Sequence, residues 1–72
     1  MNTTEKNAKT PEEKLAAYEQ MQAFVKSEYT ALTEKMEKLK AEDKTKTVSY
    51  RESLGYRTYY KAVLELYAKF GL

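Results

Sequence analysis

The side chains of this chain that could do chemistry are carboxylates, lysines and tyrosines. Histidine and cysteine are absent from its 72 residues, and glycine occurs only twice. General acid–base catalysis most often uses histidine, and a phosphate-binding loop needs a run of glycines. Several glutamates alternate with lysines, as on a solvated helix face: Glu28, Glu34, Glu37 and Glu42. The sequence therefore predicts a protein that is not an enzyme, with no cofactor and no metal site.

The seven tyrosines are expected to be mainly structural. Five fall on predicted apolar stripes and are expected to pack their rings in a core with the hydroxyls at its edge: Tyr18, Tyr29, Tyr56, Tyr60 and Tyr67. Tyr50 and Tyr59 fit the stripes less well. Exposed tyrosines are good anchors for a protein partner, because they offer a large contact area at a low entropic cost.

Basic residues interleaved with tyrosines in the C-terminal segment suggest an alternative, a nucleic-acid-binding surface. Its contact residues are predicted to be Lys46, Arg51, Arg57 and Lys61. A helix-turn-helix motif is disfavoured, because Arg51 falls where that motif needs a small residue and Lys61 where it needs a buried aliphatic one. Nucleic acid is thus the less favoured partner.

A stripe of eight positions with alternating spacings of 3 and 4 predicts a long helix that packs as in a coiled coil: Leu15, Tyr18, Gln22, Val25, Tyr29, Leu32, Met36 and Leu39. Thr10, Pro11 and Glu13 form a capping box with proline at the first helical position. The predicted helix runs over about 11–42. Gln22 either lies at the edge of the stripe or pairs across a dimer to fix its register.

A second, shorter helix is predicted over about 50–70, after a polar connector. Ser49 and Glu52 suggest its capping box. Its stripe has spacings of 4, 3, 4 and 3: Tyr56, Tyr60, Val63, Tyr67 and Phe70. Gly55 either divides the segment into a bent helix pair or lies within a continuous helix, which is slightly favoured. Gly71 is expected to end the helix in a Schellman motif, with Leu72 folded back onto Tyr67.

Two helices with a short connector predict an all-α antiparallel hairpin. With the turn near residue 46, the facing pairs are expected to be Tyr56 with Met36, Tyr60 with Leu32, Val63 with Tyr29, and Tyr67 with Val25. Residues 1–43 carry seven lysines and nine acidic residues, a net charge of −2, whereas residues 44–72 carry a net charge of +4. The two segments therefore attract each other weakly.

The second helix is too short to cover the start of the first, and about sixty residues make only a marginal core. We therefore expect a homodimer that forms a helical bundle. Its predicted self-association residues are Leu15, Tyr18, Met21, Phe24 and Val25.

The predicted domain organisation is a disordered tail over 1–9 and a helical hairpin domain over 10–72, together a complete small protein. The chain has neither a secretory signal nor an apolar run long enough to span a membrane, so a cytoplasmic location is expected. The predicted function is a self-associating protein–protein interaction module, which binds itself and an unidentified protein partner. The alternative is the nucleic-acid-binding module.

Overall fold

The computed structural model describes residues 9–72, which form two α-helices, α1 over Pro11–Ala41 and α2 over Val48–Lys69. The helices pack against each other as an antiparallel hairpin, and residues 42–47 connect them. The all-α hairpin fold is thereby confirmed. The predicted disordered tail over 1–9 lies, except for Lys9, outside the described residues.

Helix α1 begins and ends with specific hydrogen bonds. The backbone N–H of Glu13 donates to Thr10 Oγ1 (3.1 Å), and the backbone N–H of Thr10 donates to Glu13 Oε1 (2.8 Å), which confirms the capping box. At the other end Asp43 adopts the left-handed conformation (φ 59°), and Lys44 N–H donates to Leu39 O (2.8 Å). These are the features of a Schellman motif with aspartate in the position where glycine is usual.

Helix α2 begins two residues earlier than the sequence pattern predicts. Its N-cap is Thr47, whose Oγ1 accepts from Tyr50 N–H (3.2 Å) and donates to Lys44 O (2.7 Å). The prediction of a Ser49 cap is therefore wrong, because Thr47 both caps the helix and bonds the connector. The helix is continuous through Gly55, as the sequence slightly favoured, and a Cβ at Gly55 would meet no atom within 4 Å.

The C-terminal cap of α2 is the one predicted. Gly71 has a φ of 75°, Gly71 N–H donates to Ala68 O (3.0 Å) and Leu72 N–H donates to Tyr67 O (2.9 Å). This pair of bonds is the Schellman pattern, in which glycine takes the left-handed conformation at no steric cost.

The core between the helices is small. Among the described residues the buried apolar side chains are Val25, Met36 and Tyr67, and Ser53 is buried with them. On α2 the positions that face α1 repeat at spacings of 4, 3, 4 and 3 and form what we call the inner seam: Ser53, Arg57, Tyr60, Leu64 and Tyr67. The predicted pairing of Tyr56 with Met36 is wrong, since Tyr56 is 61% exposed.

Helix α2 also reaches further along α1 than the predicted register allows. The Tyr67 ring lies 5.4 Å from the Tyr18 ring, and the Tyr60 ring lies 6.4 Å from that of Phe24, centroid to centroid. The start of α1 is therefore partly covered, and Tyr18 is half-buried. The part of α1 that α2 leaves uncovered is therefore shorter than predicted.

The hairpin is a single layer of two helices, with principal extents of 56 × 29 × 14 Å. Domains usually bury their apolar surface between two packed layers, so a single layer leaves both broad faces open to solvent or to a partner. Neither helix of residues 9–72 has the length and apolar character needed to cross a membrane.

Candidate interaction surfaces

The two broad faces of the hairpin carry different side chains. On α1, Phe24 and Thr33 are nine residues apart, which is about 2.5 turns and places them on opposite sides of the helix. Tyr50 and Tyr59 are separated in the same way on α2. Phe24 and Tyr59 line a groove on one face, whereas Thr33 and Tyr50 line a cavity on the other.

We call one side the polar face, and Arg57 lies at its centre. Arg57 Nε donates to Thr33 Oγ1 (2.8 Å), and Nη2 donates to the Tyr29 hydroxyl at the longer distance of 3.3 Å. The guanidinium carbon also lies 5.2 Å from the centroid of the Tyr29 ring, a cation–π distance. Thr33 Oγ1 in turn donates to Tyr29 O (2.9 Å). The half-buried Arg57 thus ties α2 to two residues of α1.

The rest of the polar face surrounds a cavity of about 150 Å³ next to Arg57. Its lining combines Met36 with polar side chains, namely Thr33, Glu37, Lys40 and Tyr50. On this side Arg57 supplies two side-chain hydrogen bonds between the helices, to Thr33 and to Tyr29.

We call the opposite side the aromatic face. On α2 it consists of an apolar stripe with spacings of 3, 4, 3 and 4, which we call the outer seam: Tyr56, Tyr59, Val63, Leu66 and Phe70. Tyr59 is 62% exposed, Leu66 53% and Phe70 71%. A stripe of this period is typical of a helix that packs in a coiled coil, yet no helix of residues 9–72 covers it.

Helix α1 completes the aromatic face with Met21 and Phe24. The Phe24 ring meets Tyr60 nearly edge-on, with an interplanar angle of 81°. Between the helices these residues border an apolar groove of about 410 Å³, which Val63 and Leu66 also line. A second groove of about 470 Å³ lies on α2 at Gly55, between Glu52 and the rings of Tyr56, Tyr59 and Tyr60.

The hydroxyl of Tyr67 is buried beneath this face without a hydrogen-bond partner. Burial raises the pKa of this hydroxyl above its ordinary value of 10.0, and the nearby hydroxyls of Tyr18 and Tyr59 raise it further. A buried polar group without a partner is destabilising, so this contact adds less to the hairpin than a fully bonded tyrosine would.

The residues predicted for self-association do not form one surface. Met21 and Phe24 lie together and exposed on the aromatic face, with Phe24 56% exposed. Tyr18 packs on Tyr67, and Val25 is buried between the helices. Leu15 is 59% exposed but nine residues from Phe24, so it lies on the opposite side of α1.

Tyr59 and Leu66 belong to the aromatic face but are not among the residues predicted for self-association. Their spacing with Val63 is the sequence signal that identifies them.

The four basic residues of the nucleic-acid alternative are also dispersed. Lys46, Arg51 and Lys61 are exposed, but the guanidinium of Arg57 is already bonded within the chain. Arg51 and Arg57 are six residues apart and so point about 120° apart around α2. Arg57 and Lys61 are neighbours on one side of the helix, and no other pair of the four is brought together on α2.

Within residues 9–72 no three acidic side chains come together in a way that could hold a metal ion. Comparison of the chain with protein-family models, curated proteins and solved structures yields no match.

Proposed function

We propose that this protein is a small, non-enzymatic protein–protein interaction module that self-associates through its aromatic face. The observation that carries the proposal is the outer seam of α2, of which every residue except the half-buried Val63 is more than half exposed, beside the exposed Met21 and Phe24. Large contiguous apolar patches on small proteins usually mark interaction sites.

The small size of the core supports the same conclusion. Only three apolar side chains are buried among the described residues, and the chain has no disulfide to supplement them. Domains of this size commonly gain stability by oligomerisation. Two hairpins that meet through their aromatic faces would form a two-layer helical bundle, in which each layer covers the apolar surface of the other. We place its action in the cytoplasm, since a cysteine-free fold needs no oxidising compartment.

The test compares two glutamate substitutions at similarly exposed positions on opposite sides of α1. Phe24→Glu places a charge within the proposed interface, whereas Leu15→Glu places the same charge on the other side. We expect the parent and Leu15→Glu to sediment as dimers. We expect Phe24→Glu to weaken association at least about thirtyfold, the effect of removing an interface hot spot of about 2 kcal/mol.

Circular dichroism of each variant reports whether the helices remain folded. Because Phe24 and Leu15 are both more than half exposed, neither substitution is expected to unfold the hairpin. Equal sedimentation of Phe24→Glu and the parent would remove the aromatic face as the interface. A parent protein that stays monomeric at all concentrations would remove self-association itself.

A further inference from the structure

We infer that the outer seam pairs antiparallel with the outer seam of a second copy, so that the two α2 helices run side by side about a two-fold axis. The inference rests on the proposed self-association and specifies its geometry. Three independent features of α2 support it: the spacing of the seam, the groove at Gly55 and the charges at the two ends.

Glu52 extends the outer seam by one position, which gives spacings of 4, 3, 4, 3 and 4 from residue 52 to residue 70. This series reads the same in both directions. In an antiparallel pair, every seam residue can therefore face a seam residue of the second copy. In this register Tyr56 faces Leu66 of the second copy, and Tyr59 faces Val63 of the second copy. The two-fold axis then passes between Tyr59 and Val63.

The groove at Gly55 fits this register. In a coiled coil, a side chain inserts into a hole between four residues of the facing helix. Glu52, Gly55, Tyr56 and Tyr59 form such a hole, and its floor is bare backbone because Gly55 has no side chain and nothing lies within 4 Å of where its Cβ would be. In the proposed register, the exposed side chain of Leu66 from the second copy enters this hole.

Opposite charges at the two ends of the seam favour the antiparallel direction. Glu52 lies at the N-terminal end, and Lys69 lies beside Phe70 at the C-terminal end. Antiparallel pairing brings Glu52 of each copy to Lys69 of the other, whereas parallel pairing places like charges together. Antiparallel helices also align their dipoles favourably.

The register also places Phe24 at the centre of the dimer. Its ring contacts Tyr60, one residue from the proposed axis position on α2. The two copies of Phe24 therefore lie at the same height, on either side of the two-fold axis. A single geometry thus covers both the seam of α2 and the apolar residues of α1.

Disulfide trapping tests the register, because the native chain has no cysteine. The Tyr59→Cys and Val63→Cys variants are mixed in a glutathione redox buffer, and each variant is also incubated alone. One variant carries a mass tag, so that a covalent heterodimer differs in mass from either homodimer. We expect a covalent heterodimer from the mixture and little covalent homodimer from either variant alone. Tyr56→Cys mixed with Leu66→Cys is expected to behave in the same way, and Arg51→Cys mixed with Lys61→Cys is the control pair outside the seam.

Rapid homodimer formation by each single variant would overturn the inference in favour of parallel pairing. A protein that sediments as a dimer but gives no disulfide at any seam position would overturn it in favour of another surface. Loss of dimerisation in the parent would instead overturn the proposed function, so the two failures are distinguishable.

A second measurement uses the Gly55 hole. Gly55→Leu fills the hole with a good helix former, so we expect helix content to be retained while association weakens by about tenfold or more. Ala68→Leu is the matched control, since Ala68 is exposed and lies nine residues from Tyr59, which places it on the side of α2 opposite to the seam. Equal association of the parent and Gly55→Leu would contradict the insertion of Leu66 from the second copy.

Discussion

The polar face and the aromatic face belong to the same two helices but differ in whether their side chains are bonded within the chain or exposed. On the polar face, Arg57 bonds Thr33 and Tyr29, so polar groups of one helix satisfy those of the other. On the aromatic face, Tyr59, Leu66 and Phe70 remain mostly exposed. One face carries hydrogen bonds between the helices, and the other leaves large apolar side chains exposed.

The difference shows how a two-helix protein separates folding from association. Hydrogen bonds between helices are directional and fix their relative rotation, whereas apolar contact is non-directional and can be shared with any matching surface. Arg57 occupies an inner-seam position, while four residues of the outer seam stay more than half exposed, namely Tyr56, Tyr59, Leu66 and Phe70. If folding and association are separate, substitutions within the hairpin change the free energy of unfolding of the monomer. This free energy is measured in the Phe24→Glu variant, in which we expect association to be weakened.

The largest effect is expected from Arg57→Ala. The substitution removes two hydrogen bonds and a cation–π contact between the helices. We expect the free energy of unfolding in urea to fall by about 2 kcal/mol. Arg51→Ala, on the exposed side of α2, is the control and should change it by no more than about 0.5 kcal/mol. Equal effects of the two substitutions would mean that the polar face does not hold the hairpin.

A smaller effect of opposite sign is expected from Gly55→Ala. Gly55 lies within α2, and a Cβ there meets no atom within 4 Å, so alanine should raise the free energy of unfolding by about 1 kcal/mol. Gly71→Ala is the matched control, because Gly71 has a φ of 75° and alanine there is strained, which should lower stability. Thermal unfolding of both variants checks the signs. Destabilisation by Gly55→Ala would show that another group of the same monomer packs against the backbone at Gly55.

The elements of the fold could be predicted because their signals are local. The cap of α1 depends on Thr10 and Glu13, and the end of α2 on Gly71, all within one turn of the helix terminus. The N-cap of α2 could not be chosen from local preference, since Thr47 and Ser49 are both suitable cap residues. The hydrogen bond from Thr47 Oγ1 to Lys44 O, which depends on the path of the connector, decides between them.

The faces of α2 were harder to predict because its inner seam contains polar residues. Apolar spacing alone assigned Tyr56 and Phe70 to the core, whereas Ser53 and Arg57 occupy positions that face α1. Arg57 fits there only because Thr33 and Tyr29 accept its hydrogen bonds, which is a tertiary property. The outer seam is visible in the sequence once Tyr56, Tyr59, Val63, Leu66 and Phe70 are considered as a separate stripe.

The smallest effect concerns Tyr67, which lies beneath the aromatic face and lacks the hydrogen bonds that the polar face provides. Its hydroxyl has a raised pKa because burial disfavours the ionised form. Folding therefore favours the protonated hydroxyl: its contribution is fully present below the ordinary value of 10.0 and is lost as the pH rises through the pKa of the folded state. Tyr67→Phe removes the unpartnered hydroxyl, so we expect a slightly higher melting temperature at neutral pH and a shallower loss of stability in alkali.

Tyr56→Phe is the matched control, because it removes a tyrosine hydroxyl from an exposed position of the same helix. Urea unfolding at a series of pH values on either side of 10.0 measures the slopes of the parent and both variants. Destabilisation by Tyr67→Phe at neutral pH would mean that the hydroxyl has a hydrogen-bond partner in solution. The contrast between a bonded polar face and an unbonded aromatic face would then no longer hold at Tyr67. If that destabilisation appears only in the self-associating parent background, the partner is supplied by the second copy.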